Sequence, residues 1–215
     1  MKQVIAKTEE FVKREMYADS TGHDWFHIDR VRNIALQIHE KEKMGDPFII
    51  ELAALLHDIS DEKLHSSKEE GEKKLTSFLS QLPLDESKKK HIKEIIDTIS
   101  FKGGTNRSIT TVEAAIVQDA DRLDAIGAIG IARAFAYGGK KGQPIYDPTI
   151  NVRTSMTSEE YRKGNSSSIN HFYEKLLKLK EKMNTKSGRE IAERRHVYME
   201  NFLHEFYNDW NGKRQ

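Results

Sequence analysis

Nine histidines and no cysteine stand in the 215 residues of the chain. Any bound metal must therefore be held by imidazole and carboxylate, and a thiolate zinc site is excluded. Two of the nine sit on apolar helical faces. His27 precedes Val31, Ile34, Ala35 and Ile38 at helical offsets, so it heads a core-facing stripe. His57 and Asp58 follow Leu52, Ala53, Leu55 and Leu56, at the carboxyl end of a buried hydrophobic turn. Neighbours on a helix point about 100° apart, so both reach one ion only if it lies at the helix flank or just past its end. Further on, Asp119, Asp121 and Asp124 interrupt an apolar stretch, and buried carboxylates are costly unless paired or bound to a cation. Asp121 shares a face with Ala114, Val117, Asp124 and Ala128, and Asp119 shares the opposite face with Ile116 and Leu123. Periodicity leaves open which of the two faces meets a site.

Singly, each feature has an ordinary explanation. A histidine on an apolar face is commonly a hydrogen-bonded core residue, a histidine at a helix carboxyl end suits the helix dipole, and Arg122 can neutralise one of the acids. Jointly, two His and two Asp from three helices form a mixed nitrogen and oxygen set. Such a set suits Mn, Fe, Co, Ni or Mg with positions left for water.

The elements that must position these residues are helices, because apolar positions recur at helical spacing and the alternation of half-buried strands is hard to find. The fold is expected to be all-α, one compact domain over 1–215, with a ligand-bearing core over about 22–137 and scaffold helices over about 169–211. The spacing predicts helices over 2–17, from an N-cap at Asp24 to about Lys43 with Gly45 as its stop, over Phe48 to Ile59 after Asp46 and Pro47, over Ser67 to Leu79, and over Asp85 to Ser100. Phe101 to Thr110 reads as a loop. Thr111 to Tyr137 reads as one deeply buried helix, with Gly127 and Gly130 allowing close approach of a neighbour. Gly138 to Ser168 carries Pro144 and Pro148 without a period; a stretch that long is more often functional or partly disordered than idle. Two closing helices, about 169–183 and 188–210, complete the chain.

Thirty-five Lys plus Arg against 34 Asp plus Glu give a net charge of +1, which carries no electrostatic footprint for a nucleic-acid polymer or a membrane surface. Apolar runs such as Leu52 to Leu56 are far shorter than the ~20 residues of a membrane span, and the amino terminus lacks a signal-peptide apolar block, so a cytoplasmic protein is expected. A chain this long buries roughly 70% of its unfolded surface, so its core needs neither metal nor disulfide.

Three strings carry a resemblance. Gly22 to Val31 (Gly-His-Asp-Trp-Phe-His-Ile-Asp-Arg-Val), Ala53 to Lys63 (Ala-Ala-Leu-Leu-His-Asp-Ile-Ser-Asp-Glu-Lys) and Asp119 to Gly130 (Asp-Ala-Asp-Arg-Leu-Asp-Ala-Ile-Gly-Ala-Ile-Gly) are similar to the HD-domain superfamily of metal-dependent phosphohydrolases, in particular its small bacterial single-domain branch of YedJ and YpgQ type. The pattern there is a His, then a His-Asp doublet, then an Asp on a later helix. The resemblance implies His27, His57, Asp58 and Asp121 as metal ligands, Asp121 being preferred to Asp119 for its Ala-Asp-Arg-Leu context. It implies one divalent ion, Mn²⁺ foremost, with Mg²⁺, Co²⁺, Ni²⁺ or Fe²⁺ as alternatives.

The implied reaction is hydrolysis of a phosphate ester or anhydride by water that the ion activates. Asp61 and Glu62 occupy the place of an acid that moves a proton or positions the water, Asp61 being the better placed, and Lys63 joins them as a catalytic cation. Arg30 and Arg122 are expected to meet phosphate charge, with Asp124, His23 and Trp25 lining the substrate site and Trp25 stacking on a base. The branch points to a nucleotide pyrophosphohydrolase that splits a nucleoside triphosphate into monophosphate and pyrophosphate. The alternatives are a nucleoside monophosphate phosphatase and a non-catalytic module that senses metal or nucleotide. Guanosine tetraphosphate hydrolysis is disfavoured, because that branch carries an Asn four residues after the last Asp ligand and Ala125 stands there. The 138–168 segment is open to three readings: a loop closing on phosphates through Lys140, Lys141 or Arg153, a disordered excursion, or a contact within a homodimer.

Overall fold

The computed structural model describes residues 1–16, 24–61, 64–65, 67–99, 108–154, 164 and 166–212. These are helical and irregular, with no strand among them, so the fold is all-α. The chain forms two compact units, Met1–Asp121 and Arg122–Gln215.

In the first unit, α1 (Lys2–Glu15), α2 (Trp25–Glu42) and α5 (Glu86–Ile99) pack on α3 (Pro47–Leu56), and α4 (Lys68–Ser80) packs on α5. The central helix is almost wholly apolar. Its Ile50, Leu52, Leu55 and Leu56 are fully buried, each contributing about 1.5–3 kcal/mol relative to exposure. Caps fix where the helices start. The Asp24 carboxylate accepts from the His27 backbone N–H at 2.9 Å, and Asp46 accepts from Phe48 N–H at 2.9 Å with Pro47 in the first turn. The second helix stops at Lys43 rather than at Gly45, because Lys43 itself takes the left-handed conformation (φ 56°) and donates its N–H to His39. Arg32 ties α2 to α1 through Glu9 at 2.9 Å. Phe11 and Phe78 stack at 3.9 Å between α1 and α4.

The predicted long buried helix 111–137 is two helices, α6 (Val112–Asp124) and α7 (Gly127–Lys140). Ala125 and Ile126 bond back to Arg122 and Leu123, which tightens the last turn. Ile126 is then extended, and Gly127 turns the chain with φ +77°. Nor is the second half deeply buried: Ile129 and Tyr137 are exposed.

In the second unit, α7 packs on α8 (Ser168–Glu174) and α9 (Lys186–Trp210). Phe135, Phe172 and Phe202 meet with ring centroids 5.7–6.1 Å apart. The predicted helix 169–183 is shorter than its pattern suggests. Past Glu174 the chain forms two 3₁₀ turns, Leu176–Lys178 and Lys180–Lys182. Leu176 and Leu179 are three residues apart, so a 3₁₀ turn aligns them and buries both. The helix before the 138–168 segment continues to Lys140. Beyond it the Pro144 and Ile145 carbonyls accept from Ser168 and Ile169 at 3.0 Å.

Candidate metal centre

Each proposed ligand is placed by a local feature of its helix. Asp24 caps α2 at the His27 amide, so the histidine stands in the first turn with its ring wholly buried. The apolar run of α3 ends at Leu56, and His57 and Asp58 occupy the turn just past it. His57 Nδ1 lies 2.8 Å from the carbonyl of Ala54. A carbonyl only accepts, so Nδ1 carries the proton and Nε2 presents a lone pair. That Nε2 is buried and makes no hydrogen bond within the described residues. α6 supplies Asp121.

One ligand atom from each of His27, His57 and Asp121 lies within 4.8 Å of the others. The Asp121 Oδ1 is 3.6 Å from His27 Nε2 and 3.8 Å from His57 Nε2. Asp58 straddles the two rings, Oδ2 being 3.3 Å from His27 Nε2 and Oδ1 3.4 Å from His57 Nε2. The rings stand edge to face at 5.3 Å. The group holds neither Asp58, which meets the two rings through different oxygens, nor Asp119, which is wholly buried, whereas the Asp121 side chain keeps 42% of its surface open. A lone-pair nitrogen facing carboxylate oxygens is unfavourable unless a cation, a metal ion or a proton, stands between them. Two imidazoles and two carboxylates are the donor set of a divalent first-row ion with open positions, so the residues present fit such an ion.

Of the other expected site residues, Asp61 lies one turn past the doublet, its N–H donating to the Asp58 carbonyl at 2.9 Å. Trp25 opens α2 and carries the Lys13 ammonium 4.4 Å above its ring. Arg30 is half-buried one turn after His27. Arg122 donates to the Lys182 carbonyl, and Asp124 is buried against Arg133 at 2.6 Å. Arg153 makes a two-pronged pair with the buried Glu174, at 2.8 and 2.6 Å. Burial opposes ionisation of that carboxyl, yet the Arg153 hydrogen bonds hold it below the usual glutamate value. His23, Glu62 and Lys63 lie outside the described residues. The Ala54 carbonyl is invisible to motif reading, since a backbone acceptor has no residue-type signal; its trace is only the spacing of three residues from His57.

The HD domain model matches residues 25–126. The chain is 39% identical to the protein YpgQ of Bacillus subtilis (strain 168) over 196 residues, 90% of this chain and 87% of that one. Among solved structures it is similar to an HD-superfamily hydrolase from Bacillus thuringiensis, with 47% identity and a TM-score of 0.79 over 99% of each chain. It is also similar to Bacillus subtilis YpgQ in complex with ADP, with 36% identity and a TM-score of 0.76 over 95% of this chain and 97% of that one. The chain belongs to the HD-domain family of metal-dependent phosphohydrolases. Within the described residues no helix is long and apolar enough to cross a membrane.

Proposed function

We propose that this hydrolase is a nucleotide pyrophosphohydrolase, in which His27, His57, Asp58 and Asp121 hold one divalent ion, Mn²⁺. The observation that carries the reading is the convergence of both histidines, each through Nε2, on the Asp58 and Asp121 carboxylates. The ADP in the structure of the similar Bacillus subtilis protein supports a nucleotide as ligand.

The reaction consumes one water and one nucleoside triphosphate and yields monophosphate and pyrophosphate. A bound divalent ion supplies charge for the phosphoryl oxygens and acidifies water. The Ala54 carbonyl keeps the His57 ring in one tautomer and one orientation, so a ligand atom need not be reorganised during turnover. Asp61, held one turn from Asp58, takes the proton from the attacking water. Arg30 meets the developing charge of the phosphates. Trp25 stacks on the base.

Purified protein given Mn²⁺ and a panel of nucleoside mono-, di- and triphosphates is expected to release pyrophosphate from triphosphates, and Asp58→Ala is expected to abolish it. Orthophosphate alone, released from monophosphates, would replace this reading with a phosphatase. No turnover with any divalent ion would leave a binding module.

A further inference from the structure

Two contacts outside the metal centre bear on the turn that carries Asp58 and Asp61. The first is a hydrogen bond. His65 Nε2 lies 2.6 Å from the carbonyl of Ile59, the residue that follows Asp58. Because a carbonyl only accepts, Nε2 is the donor, and the imidazole pins a backbone group adjacent to a proposed ligand. Carbonyls past a helix end lack the partner that the next turn would supply, so a side-chain donor there fixes the path of the chain. Ile59 is itself buried, and its N–H bonds back to Leu56 at 3.1 Å.

The second contact is steric. Gly71 interrupts the charged sequence Lys-Glu-Glu-Gly-Glu-Lys-Lys inside α4, where glycine is less favourable than alanine. Its value lies in what a side chain would meet. A Cβ at position 71 would stand 2.7 Å from His65 Cδ2 and 2.9 Å from the Ser60 carbonyl oxygen. The backbone of α4 therefore closes directly on the imidazole and on the turn. Its neighbour on one side is a rigid ring and on the other a main-chain atom, and neither can swing away as a flexible side chain would.

We infer that His65, held between the Ile59 carbonyl and Gly71 of α4, is a positioning residue that fixes the 57–61 turn and so sets where Asp58 and Asp61 stand. The inference rests on the reading of Asp58 as a ligand and Asp61 as the proton acceptor. It adds a support to that site that its motif does not contain. Outer supports of metal ligands are worth about 10–100-fold in metal affinity or activity, and a displacement of about 1 Å at a reacting group costs on the order of 10²-fold.

The test uses the full chain with His65→Gln, His65→Asn, Gly71→Ala and Asp58→Ala, and reads Mn²⁺ affinity by calorimetry, kcat and KM for nucleotide hydrolysis, and Tm. The Gln amide nitrogen occupies the Nε2 position and restores the donor; the Asn amide falls short of the carbonyl. His65→Asn and Gly71→Ala are expected to lose about 10–100-fold in Mn²⁺ affinity and in kcat with KM little changed, while His65→Gln recovers most of both. Asn and Gln behaving alike, with losses that only follow Tm, would reduce His65 to a packing residue and overturn the inference. If Asp58→Ala abolishes Mn²⁺ binding while all the other variants keep it, the inference fails and the metal centre stands. If Asp58→Ala binds Mn²⁺ like the parent, the centre itself fails, and the role of His65 with it.

Discussion

His57 donates from Nδ1 to the carbonyl of Ala54, one turn back on the same helix, at 2.8 Å. The bond decides which nitrogen of a buried ring is left for a metal. A doublet of adjacent residues serves one centre because it stands at the helix end: His57, still with helical φ and ψ, closes α3 after Leu56, and Asp58 follows it in the turn. Replacing His57 by Ala should remove a ligand without creating a charge. We expect loss of Mn²⁺ binding in calorimetry and a fall in kcat/KM of about 10³-fold, which corresponds to the several kcal/mol that a catalytic ion supplies. His57→Ala retaining parental Mn²⁺ affinity would remove this histidine from the centre.

Asp124 and Arg133 form a pair of another kind. The Asp124 side chain is 1% exposed and the Arg133 guanidinium lies 2.6 Å from it. Truncating one partner of such a pair leaves a buried charge and costs about 3–5 kcal/mol. Arg195 also lies near enough to act on Asp124 electrostatically, so the lower end of that range is expected for Arg133→Ala. Urea unfolding followed by Trp210 fluorescence in a Trp25→Phe background reads this out. Adding Asp124→Asn should recover much of the loss; a double variant as unstable as the single would show that the charge is not the cause.

Much of the site is legible in the sequence because its chemistry is paid for in residue types. A histidine heading an apolar stripe and acids inside a run of Ala, Ile and Val are costly unless something uses them, and Asp24 marks where the helix carrying His27 begins. What the sequence hides is geometry set by the backbone. Asp119 and Asp121 are alike in type and both lie on a helix with buried faces; only the placement of α6 brings Asp121 to the histidines and buries Asp119. The break between α6 and α7 escaped for a similar reason. Gly127 and Gly130 fit a tight helix contact as well as a turn, and the apolar period runs on through both helices.

That break makes Gly127 a sharp test. Its φ is +77°, and a Cβ there would lie 2.9 Å from Arg195 Cγ. Gly127→Ala carries both a backbone penalty and a clash, together worth about 1–3 kcal/mol. Pairing it with Arg195→Ala removes the Cγ contact but leaves Cβ of residue 195 at 3.1 Å and the backbone cost, and also deletes the hydrogen bond from Arg195 to the Leu123 carbonyl. The expected order of Tm is parent, then Gly127→Ala, with no full recovery in the double variant. A parental Tm in Gly127→Ala would mean that the chain reaches α7 by another route.

His171 gives the second unit a pH dependence of its own. Burial disfavours its charged form, Lys175 and Arg153 add repulsion that Glu174 only partly offsets, and its pKa falls from 6.5 to about 4. The unfolded chain binds a proton at this residue more readily than the folded one, so the stability it contributes is complete above about 6.5 and is lost as pH falls toward about 4. At 1.36 kcal/mol for each pH unit, the full loss is about 3 kcal/mol. Urea unfolding of the second unit at pH 7.5, 6.5, 5.5 and 4.5, again through Trp210, should show stability declining from about pH 6.5. A His171→Gln variant keeps a polar side chain and has no proton to take up, so its decline should begin only where carboxylates such as Glu174 start to protonate, below the usual glutamate value of 4.5. Equal slopes for the two proteins between pH 6.5 and 5 would show that His171 does not titrate differently in the folded and unfolded chain.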